Sequence, residues 1–134
     1  MMRKIDKIII HCTATPEGKD YTVDEIRGWH VRGNGWKDIG YHFVVHLDGE
    51  VSLGRPVDQI GAHCKGQNAS SIGIAYVGGC TPDGRTPKDT RTPAQKMALR
   101  NLVAILKHSF PGATVHCHNE FANKACPSFK IQDF

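Results

Sequence analysis

The chain has 134 residues, of which 40% are hydrophobic and 22% charged, which is typical of one globular domain and excludes a disordered or fibrous protein. Its formal net charge of +4 would suit an anionic partner such as nucleic acid, a membrane surface or a wall polymer. The lysines and arginines are dispersed, so we do not expect nucleic acid. The apolar run at residues 8–10 is too short for a signal peptide or a membrane segment. Five scattered cysteines, an odd number, predict reduced thiols rather than a disulfide framework.

The first third of the chain predicts a strand, a loop and a helix. Residues 5–11 are typical of a short strand buried on both faces, and residues 13–18 of a polar loop. Thr22 and Glu25 have the spacing of a capping box, which predicts a helix over residues 23–31. Three side chains of that helix would point toward the core: Ile26, Trp29 and His30.

A hairpin follows, because Asp-Gly separates two strand-like runs at residues 41–46 and 50–53. Another apolar strand is predicted over residues 71–77. Alternation in the first arm of the hairpin predicts two faces: Tyr41, Phe43 and Val45 on one, and His42, Val44 and His46 on the other.

The last third of the chain predicts a long amphipathic helix and a short strand. Thr92 and Gln95 start a helix that runs to about Phe110. Residues 113–115 are strand-like and lead into a loop. The helix has an apolar stripe formed by Leu99, Leu102, Val103 and Leu106. The fold class is therefore α/β, or α+β with a central mixed sheet flanked by helices, in a single domain over residues 1–134.

Chemistry-bearing residues stand just beyond two of the predicted strands. His11 and His118 each follow an apolar strand, and Cys126 lies eight residues after His118. Two imidazoles and one thiolate are good zinc ligands, and three protein ligands leave a fourth position for water. The spacing matches no local metal motif, so hydrogen-bonding histidines and a packed cysteine remain the alternatives. A cysteine hydrolase with Cys126 as nucleophile and His118 as base is a further alternative. Pro127 and the absence of a helix start at Cys126 argue against it, because a helix N-terminus is one usual way to lower the pKa of a thiol.

Five short segments occur in an order that resembles a known family. They are residues 11–15 (HCTAT), 40–43 (GYHF), 62–68 (AHCKGQN), 71–74 (SIGI), and 118–120 (HNE) with 124–127 (KACP). With them the chain resembles the type 2 N-acetylmuramoyl-L-alanine amidases, which include small phage lysozymes and the peptidoglycan recognition proteins. The likeness extends from about Lys4 to Phe129. It implies the mixed-sheet fold of that family and hydrolysis of the amide between N-acetylmuramic acid and L-alanine in peptidoglycan.

The resemblance also implies residue roles. It assigns one Zn²⁺ per chain, with water as fourth ligand, to His11, His118 and Cys126. It assigns catalytic assistance to Tyr41 and Lys124. One of those two side chains would stabilise the oxyanion, and Tyr41 is the first choice for giving a proton to the departing amine, although the chemistry leaves that assignment open.

Other histidines and one asparagine have less defined roles. His63 and Asn68 are candidates for substrate binding, with a loop-anchoring hydrogen bond and a turn position as the alternatives. His116 is the alternative ligand to His118, since strand alternation places both on the same face. The remaining histidines are assigned to structure or solvent: His30, His42, His46 and His108.

The main rival function is a non-catalytic peptidoglycan-binding module of the same fold. Such relatives tend to lack the metal-binding cysteine, whereas Cys126 is present, so we expect an enzyme. Some small phage relatives bind a phage RNA polymerase partly through an N-terminal extension. Only ten residues precede His11, so we do not expect polymerase binding. We expect a monomeric phage or prophage endolysin, made in the cytoplasm without a signal peptide and reaching the wall after release or by non-Sec export.

Overall fold

A five-stranded sheet forms the centre of the computed structural model, which describes residues 3–134. A five-residue π-helical segment, Trp29–Gly33, directly follows the first helix. The strands and α-helices occur along the chain as β1 (Lys7–Cys12), β2 (Thr15–Pro16), α1 (Val23–Gly28), β3 (Phe43–Val45), β4 (Val51–Leu53), β5 (Ser71–Tyr76), β6 (Gly79–Cys80), α2 (Pro93–Ser109) and β7 (Thr114–Cys117).

The large sheet is mixed, as the hairpin in the sequence predicts. Its strand order is β4-β3-β5-β1-β7. Strand β1 pairs in parallel with both β5 and β7, and β3 pairs in parallel with β5, while β3 and β4 are antiparallel. Parallel strands end at the same edge of a sheet, so the carboxyl ends of β1 and β7 lie side by side. This topology brings the segments that follow residues 12 and 117 together.

One face of the sheet packs on α2 and forms the main core. Ile8 and Ile10 of β1 are fully buried there, together with Ile72 and Ile74 of β5. The stripe predicted for the long helix is confirmed, because Leu99, Leu102, Val103 and Leu106 are all buried against these strands. Burial of each such side chain contributes about 1.5–3 kcal/mol. This core holds β1 and β7 in register beneath the site.

The other face of the sheet carries a smaller apolar cluster of Ile26, Ile39, Val44 and Val77. The prediction that Trp29 points into this core is wrong, since the residue is 40% exposed. The α-helix ends at Gly28 and continues as the wider π-helical segment, and the Trp29 ring packs edge-on against Tyr21 at the surface. His30 is half-buried, and its Nδ1 accepts a hydrogen bond from the amide of Gly40 at 2.9 Å.

Two further local predictions differ from the structure. Tyr41 does not share a face with Phe43 and Val45, because β3 begins only at Phe43 and the alternation does not extend back to Tyr41. Its side chain packs with the Val44 cluster on the opposite face. The predicted loop over residues 13–18 contains β2, which pairs with β6. Each of these strands has two residues, too few to show a period in sequence.

The predicted capping box at Thr22 is present, and the predicted helix start at Thr92 forms a second one. The Thr22 hydroxyl accepts from the amide of Glu25, and the Thr92 hydroxyl accepts from the amide of Gln95. Within residues 3–134, none of the helices combines the length and apolar character needed to cross a membrane.

Candidate metal centre

Three potential metal-binding side chains converge at the carboxyl edge of the sheet. His11 lies near the end of β1, His118 begins the 3₁₀ turn directly after β7, and Cys126 lies in the following loop. One donor atom from each residue lies within 4.8 Å of the other two. His11 Nδ1 is 3.1 Å from His118 Nδ1 and 3.9 Å from Cys126 Sγ. The fold thus joins residues that are 107 and 115 positions apart in sequence.

Two of the three donor separations, those from His11 to His118 and to Cys126, are close to the separations between ligands of one zinc ion. With ordinary bond lengths, two nitrogen ligands of one zinc ion lie about 3.3 Å apart, and a nitrogen and a sulfur ligand about 3.6 Å apart. The observed 3.1 Å and 3.9 Å differ from these values by only a few tenths of an ångström. The donor set is also chemically suitable, since imidazole and thiolate are the ligands that zinc prefers.

Burial keeps both imidazoles neutral. Desolvation lowers the pKa of His11 well below its ordinary value, and the neighbouring histidines act in the same direction. Desolvation, with a smaller contribution from Lys124, also lowers the pKa of His118. A neutral imidazole retains the lone pair that binds a cation. The two rings are therefore ready to act as ligands at neutral pH.

The pKa of the Cys126 thiol is raised, in contrast to the lowered pKa values of the two histidines. The hydrogen bond with the Cys12 side chain, followed by burial, raises the pKa of Cys126. A thiol in this state is a poor nucleophile, which argues against the cysteine hydrolase considered from sequence. A bound cation would be needed to turn the sulfur into a thiolate ligand.

Tyr41 borders the same site from a different element. It precedes β3, and its ring centroid lies 5.4 Å from that of His11. Its hydroxyl donates to the carbonyl of Cys12 over 3.5 Å. Burial, and then the neighbouring cysteines, raise the pKa of the Tyr41 phenol, so this group keeps its proton. Tyr41 is consequently available as a hydrogen-bond donor next to the three converging side chains.

The site opens into a groove. A cleft of about 240 Å³ is lined by the three converging side chains and by Trp36, Tyr41 and Lys124. A second cleft of about 600 Å³ shares Trp36, His63, His118 and Lys124 with it. Lys124 is exposed at the junction of the two clefts. An extended polymer could therefore lie across the site with Lys124 beside it.

Both residues predicted to contact substrate lie at the groove and make hydrogen bonds within the protein. His63 Nδ1 is 2.8 Å from His11 Nε2, and His63 Nε2 is 3.2 Å from the Ser71 hydroxyl. Burial lowers the pKa of His63 to about 3. The side-chain oxygen of Asn68 accepts from the amides of His63 and Cys64, each at 2.9 Å. Substrate contact by His63 and Asn68 stays a prediction.

His118, and not His116, is the histidine that joins the cluster. His116 bonds Thr114 Oγ1 at 2.7 Å and Glu120 Oε1 at 3.0 Å, on the outer edge of β7. The two histidines do not share a face because the strand ends at Cys117 and a 3₁₀ turn begins at His118. Alternation alone could not reveal that change of backbone.

Sequence reasoning missed how β5 makes room for the site. Ile72, Ile74 and Tyr76 point into the α2 core, so the alternate positions face the site. Those positions hold Ser71, Gly73 and Ala75, all small, and a Cβ at Gly73 would lie 2.5 Å from the His63 ring. The alternation of small and large residues along this strand is a signal that could have located the groove.

Comparison with known proteins agrees with the fold. The family model for N-acetylmuramoyl-L-alanine amidases matches residues 1–129, and the chain belongs to this family. It is an N-acetylmuramoyl-L-alanine amidase, a hydrolase that acts on bacterial peptidoglycan.

Similar proteins come from phages and bacteria. The endolysin of Klebsiella phage KP32 is 44% identical over 130 residues, which are 97% of this chain and 85% of that protein. The endolysin of Escherichia phage T7 is 43% identical over 127 residues, covering 95% of this chain and 83% of that protein. Among solved structures, the amidase LysC from Clostridium intestinale URNW has a TM-score of 0.80 at 29% identity, covering 93% of this chain and 77% of that one.

Proposed function

We propose that this chain is a zinc-dependent endolysin whose metal ligands are His11, His118 and Cys126. The observation that carries the proposal is the convergence of these three donors within 4.8 Å, in a cleft that Tyr41 and Lys124 also line. Phage endolysins with more than 40% identity over almost the whole chain support the proposal that this chain is an endolysin. We further propose one zinc ion per chain and a single domain spanning residues 1–134.

Hydrolysis of an amide needs an activated water, a polarised carbonyl and a proton for the departing amine. A zinc ion bound at this site supplies Lewis-acid polarisation and lowers the pKa of water. The protein groups supply the remaining requirements. The imidazoles of His11 and His118 are buried and neutral, so each can offer a lone pair to the metal. The main-chain amide of Cys12 donates a 3.3 Å hydrogen bond to the Cys126 sulfur and so orients it.

Tyr41 suits the stabilisation of the oxyanion. Its raised pKa makes it a weak acid, and a hydrogen bond to an oxyanion does not require release of the proton. This reasoning reverses the first choice made from sequence, where Tyr41 was the proton donor. Tyr41 therefore donates a hydrogen bond to the developing negative charge.

Lys124 is then the group that gives a proton to the amine of L-alanine. It is exposed at the junction of the two clefts, where its flexible chain can follow the leaving group. A protonated amine leaves far more readily than an amide anion, so a donor at this place contributes directly to the rate. The positive charge of Lys124 also suits an anionic wall polymer.

The partner is peptidoglycan, and we propose that the chain acts on it as a monomer. Its place of action is the cell wall, as for the phage endolysins that it resembles. A non-catalytic binding module on this fold is the competing proposal.

The test is product analysis of purified peptidoglycan after incubation with the protein. An amidase leaves intact glycan strands and free stem peptides that begin with L-alanine, which mass spectrometry identifies. Binding to the wall without release of such peptides would support the binding module instead.

A further inference from the structure

We propose that His63 is a positioning residue that holds the metal ligand His11 in its binding orientation. This inference rests on the proposed zinc centre and assigns to His63 a role different from substrate contact. His63 Nδ1 lies 2.8 Å from His11 Nε2, the ring nitrogen that faces away from the other two donors. His11 Nδ1 is the atom that faces them, at 3.1 Å from His118 and 3.9 Å from Cys126.

The choice of His11 Nδ1 as metal ligand determines which atom donates and which accepts in the hydrogen bonds from His11 through His63 to Ser71. If His11 binds the metal through Nδ1, its proton lies on Nε2 and is donated to His63 Nδ1. A neutral imidazole has one acceptor and one donor, so His63 Nε2 carries the second proton. That proton is donated to the Ser71 hydroxyl at 3.2 Å. Both ring nitrogens of His63 are then engaged within the protein, which leaves only ring carbons to face the groove.

The surroundings of His63 are built to fix its ring. Gly73 lies directly under the imidazole, and a Cβ there would approach His63 Cγ to 2.5 Å. Gly61 leaves similar space, since its Cβ would lie 2.9 Å from His63 Cδ2. Asn68 holds the main chain from the other side by accepting the amides of His63 and Cys64. The His63 ring thus packs on β5 while hydrogen bonds fix its main chain, as expected for a group that orients another side chain.

Groups that hydrogen-bond a metal ligand have a measurable effect on the metal. Loss of such a partner typically lowers metal affinity by about 10- to 100-fold, because the ligand ring is no longer held in one orientation and tautomer. A substrate-binding residue has a different signature, since its loss raises KM and leaves metal affinity unchanged.

Two substitutions of His63 separate these roles. Asparagine places an amide oxygen near the position of Nδ1, so His63→Asn keeps an acceptor for His11. Glutamine places its amide near the position of Nε2, so His63→Gln keeps a hydrogen bond to the Ser71 hydroxyl and loses the acceptor for His11. Zinc affinity is measured by competition with a chromophoric chelator, and folding of the metal-free variants by circular dichroism. His116→Gln is the matched control, because His116 lies outside the cluster.

We expect His63→Gln to bind zinc about 10- to 100-fold more weakly than the unchanged protein, and His63→Asn to recover most of that loss. Unchanged zinc affinity in His63→Gln, with a raised KM, would overturn the inference and support substrate contact. If the unchanged protein itself binds no zinc, the proposed function fails, and this outcome is distinct from failure of the His63 role alone.

A measurement on the unchanged protein tests the same inference without any variant. Nitrogen-15 spectra of the histidine rings in the zinc-loaded protein report which ring nitrogen carries each proton. We expect the proton of His11 on Nε2 and that of His63 on Nε2. A proton on His63 Nδ1 would overturn the inference, since two N–H groups cannot form a hydrogen bond with each other.

Discussion

The main-chain amide of Cys12 donates a hydrogen bond to the Cys126 sulfur at 3.3 Å. This contact joins the end of the central strand β1 to a loop 114 residues further along the chain. A main-chain donor has a fixed direction, and hydrogen bonds to a thiolate stabilise its charged form. The position of the proposed cysteine ligand is therefore set by the same strand that carries His11.

We predict that Cys126→Ser loses zinc and amidase activity and remains folded. Cys126 packs only at the margin of the α2 core, and serine differs from cysteine by one atom, so the substitution removes a ligand without opening a large cavity. Zinc content by elemental analysis and peptide release from peptidoglycan are the measurements. Cys80→Ser is the matched control and should keep both, since Cys80 lies in β6 and is not one of the converging donors. Wild-type digestion by Cys126→Ser would show that the metal assignment is wrong.

Tyr41→Phe should retain zinc and reduce kcat/KM by about 10²- to 10³-fold. The substitution removes only the hydroxyl, and this is the usual loss when one donor to an oxyanion is deleted. Zinc titration and steady-state kinetics on soluble peptidoglycan fragments test it, with Tyr21→Phe as a control outside the cleft. A large loss of zinc affinity in Tyr41→Phe would contradict the catalytic role.

The metal-free protein should lose stability as the pH falls from about 6.5 to 4, partly through His42. Its Nδ1 accepts the amide of Gly73 at 3.0 Å, and burial lowers the pKa of His42 to about 4. The pKa of a histidine in an unfolded chain is about 6.5. Between these values the unfolded chain binds a proton that the folded chain does not, so acid favours unfolding, by on the order of 3 kcal/mol for this group.

His42→Asn isolates the contribution of His42. An asparagine oxygen can accept the Gly73 amide and does not titrate, so this variant should show a flatter dependence of unfolding free energy on pH over the same range. Urea unfolding at several pH values between 4 and 7 provides the comparison. Equal slopes for the two proteins would mean that the imidazole of His42 does not contribute in this window.

Gln95→Leu should destabilise the fold by about 3 kcal/mol. Gln95 is fully buried, and its amide nitrogen donates to the carbonyls of Val45 and Val77 while its oxygen accepts from the amide of Thr92. Leucine removes all three hydrogen bonds, so the Thr92 amide and the Val77 carbonyl lose this partner, while the Val45 carbonyl still accepts from the Val77 amide. Urea unfolding measures the loss, and Gln132→Leu is the control, because an exposed site should change stability by less than about 0.5 kcal/mol. A loss in Gln95→Leu no larger than in the control would refute the buried network.

Local signals in the sequence were sufficient for the long elements of the fold. The helix α2 has both a capping box and an apolar stripe, and the isoleucines of β1 identify a buried strand, because these patterns depend only on neighbouring residues. The face of Tyr41 was predicted wrongly, since where β3 starts depends on its pairing with β5. The pairing of β2 with β6 is likewise a tertiary feature with no periodic signature.

The site was less accessible to reasoning from sequence alone. Residue spacing could nominate His11, His118 and Cys126 but had no motif to join them, and the family resemblance supplied that link. The bond between His63 and His11 was not foreseen, because it crosses 52 residues of sequence and depends on the space above Gly73. Such contacts become visible only when the strands are in place.

The most direct test of the account is the zinc content of the purified protein, paired with peptide release from peptidoglycan before and after chelation. We predict about one zinc ion per chain, activity that disappears with the metal, and recovery when Zn²⁺ is returned. Full activity in metal-free protein, or a purified protein that neither contains nor binds zinc, would contradict the central claim that His11, His118 and Cys126 form a catalytic metal site.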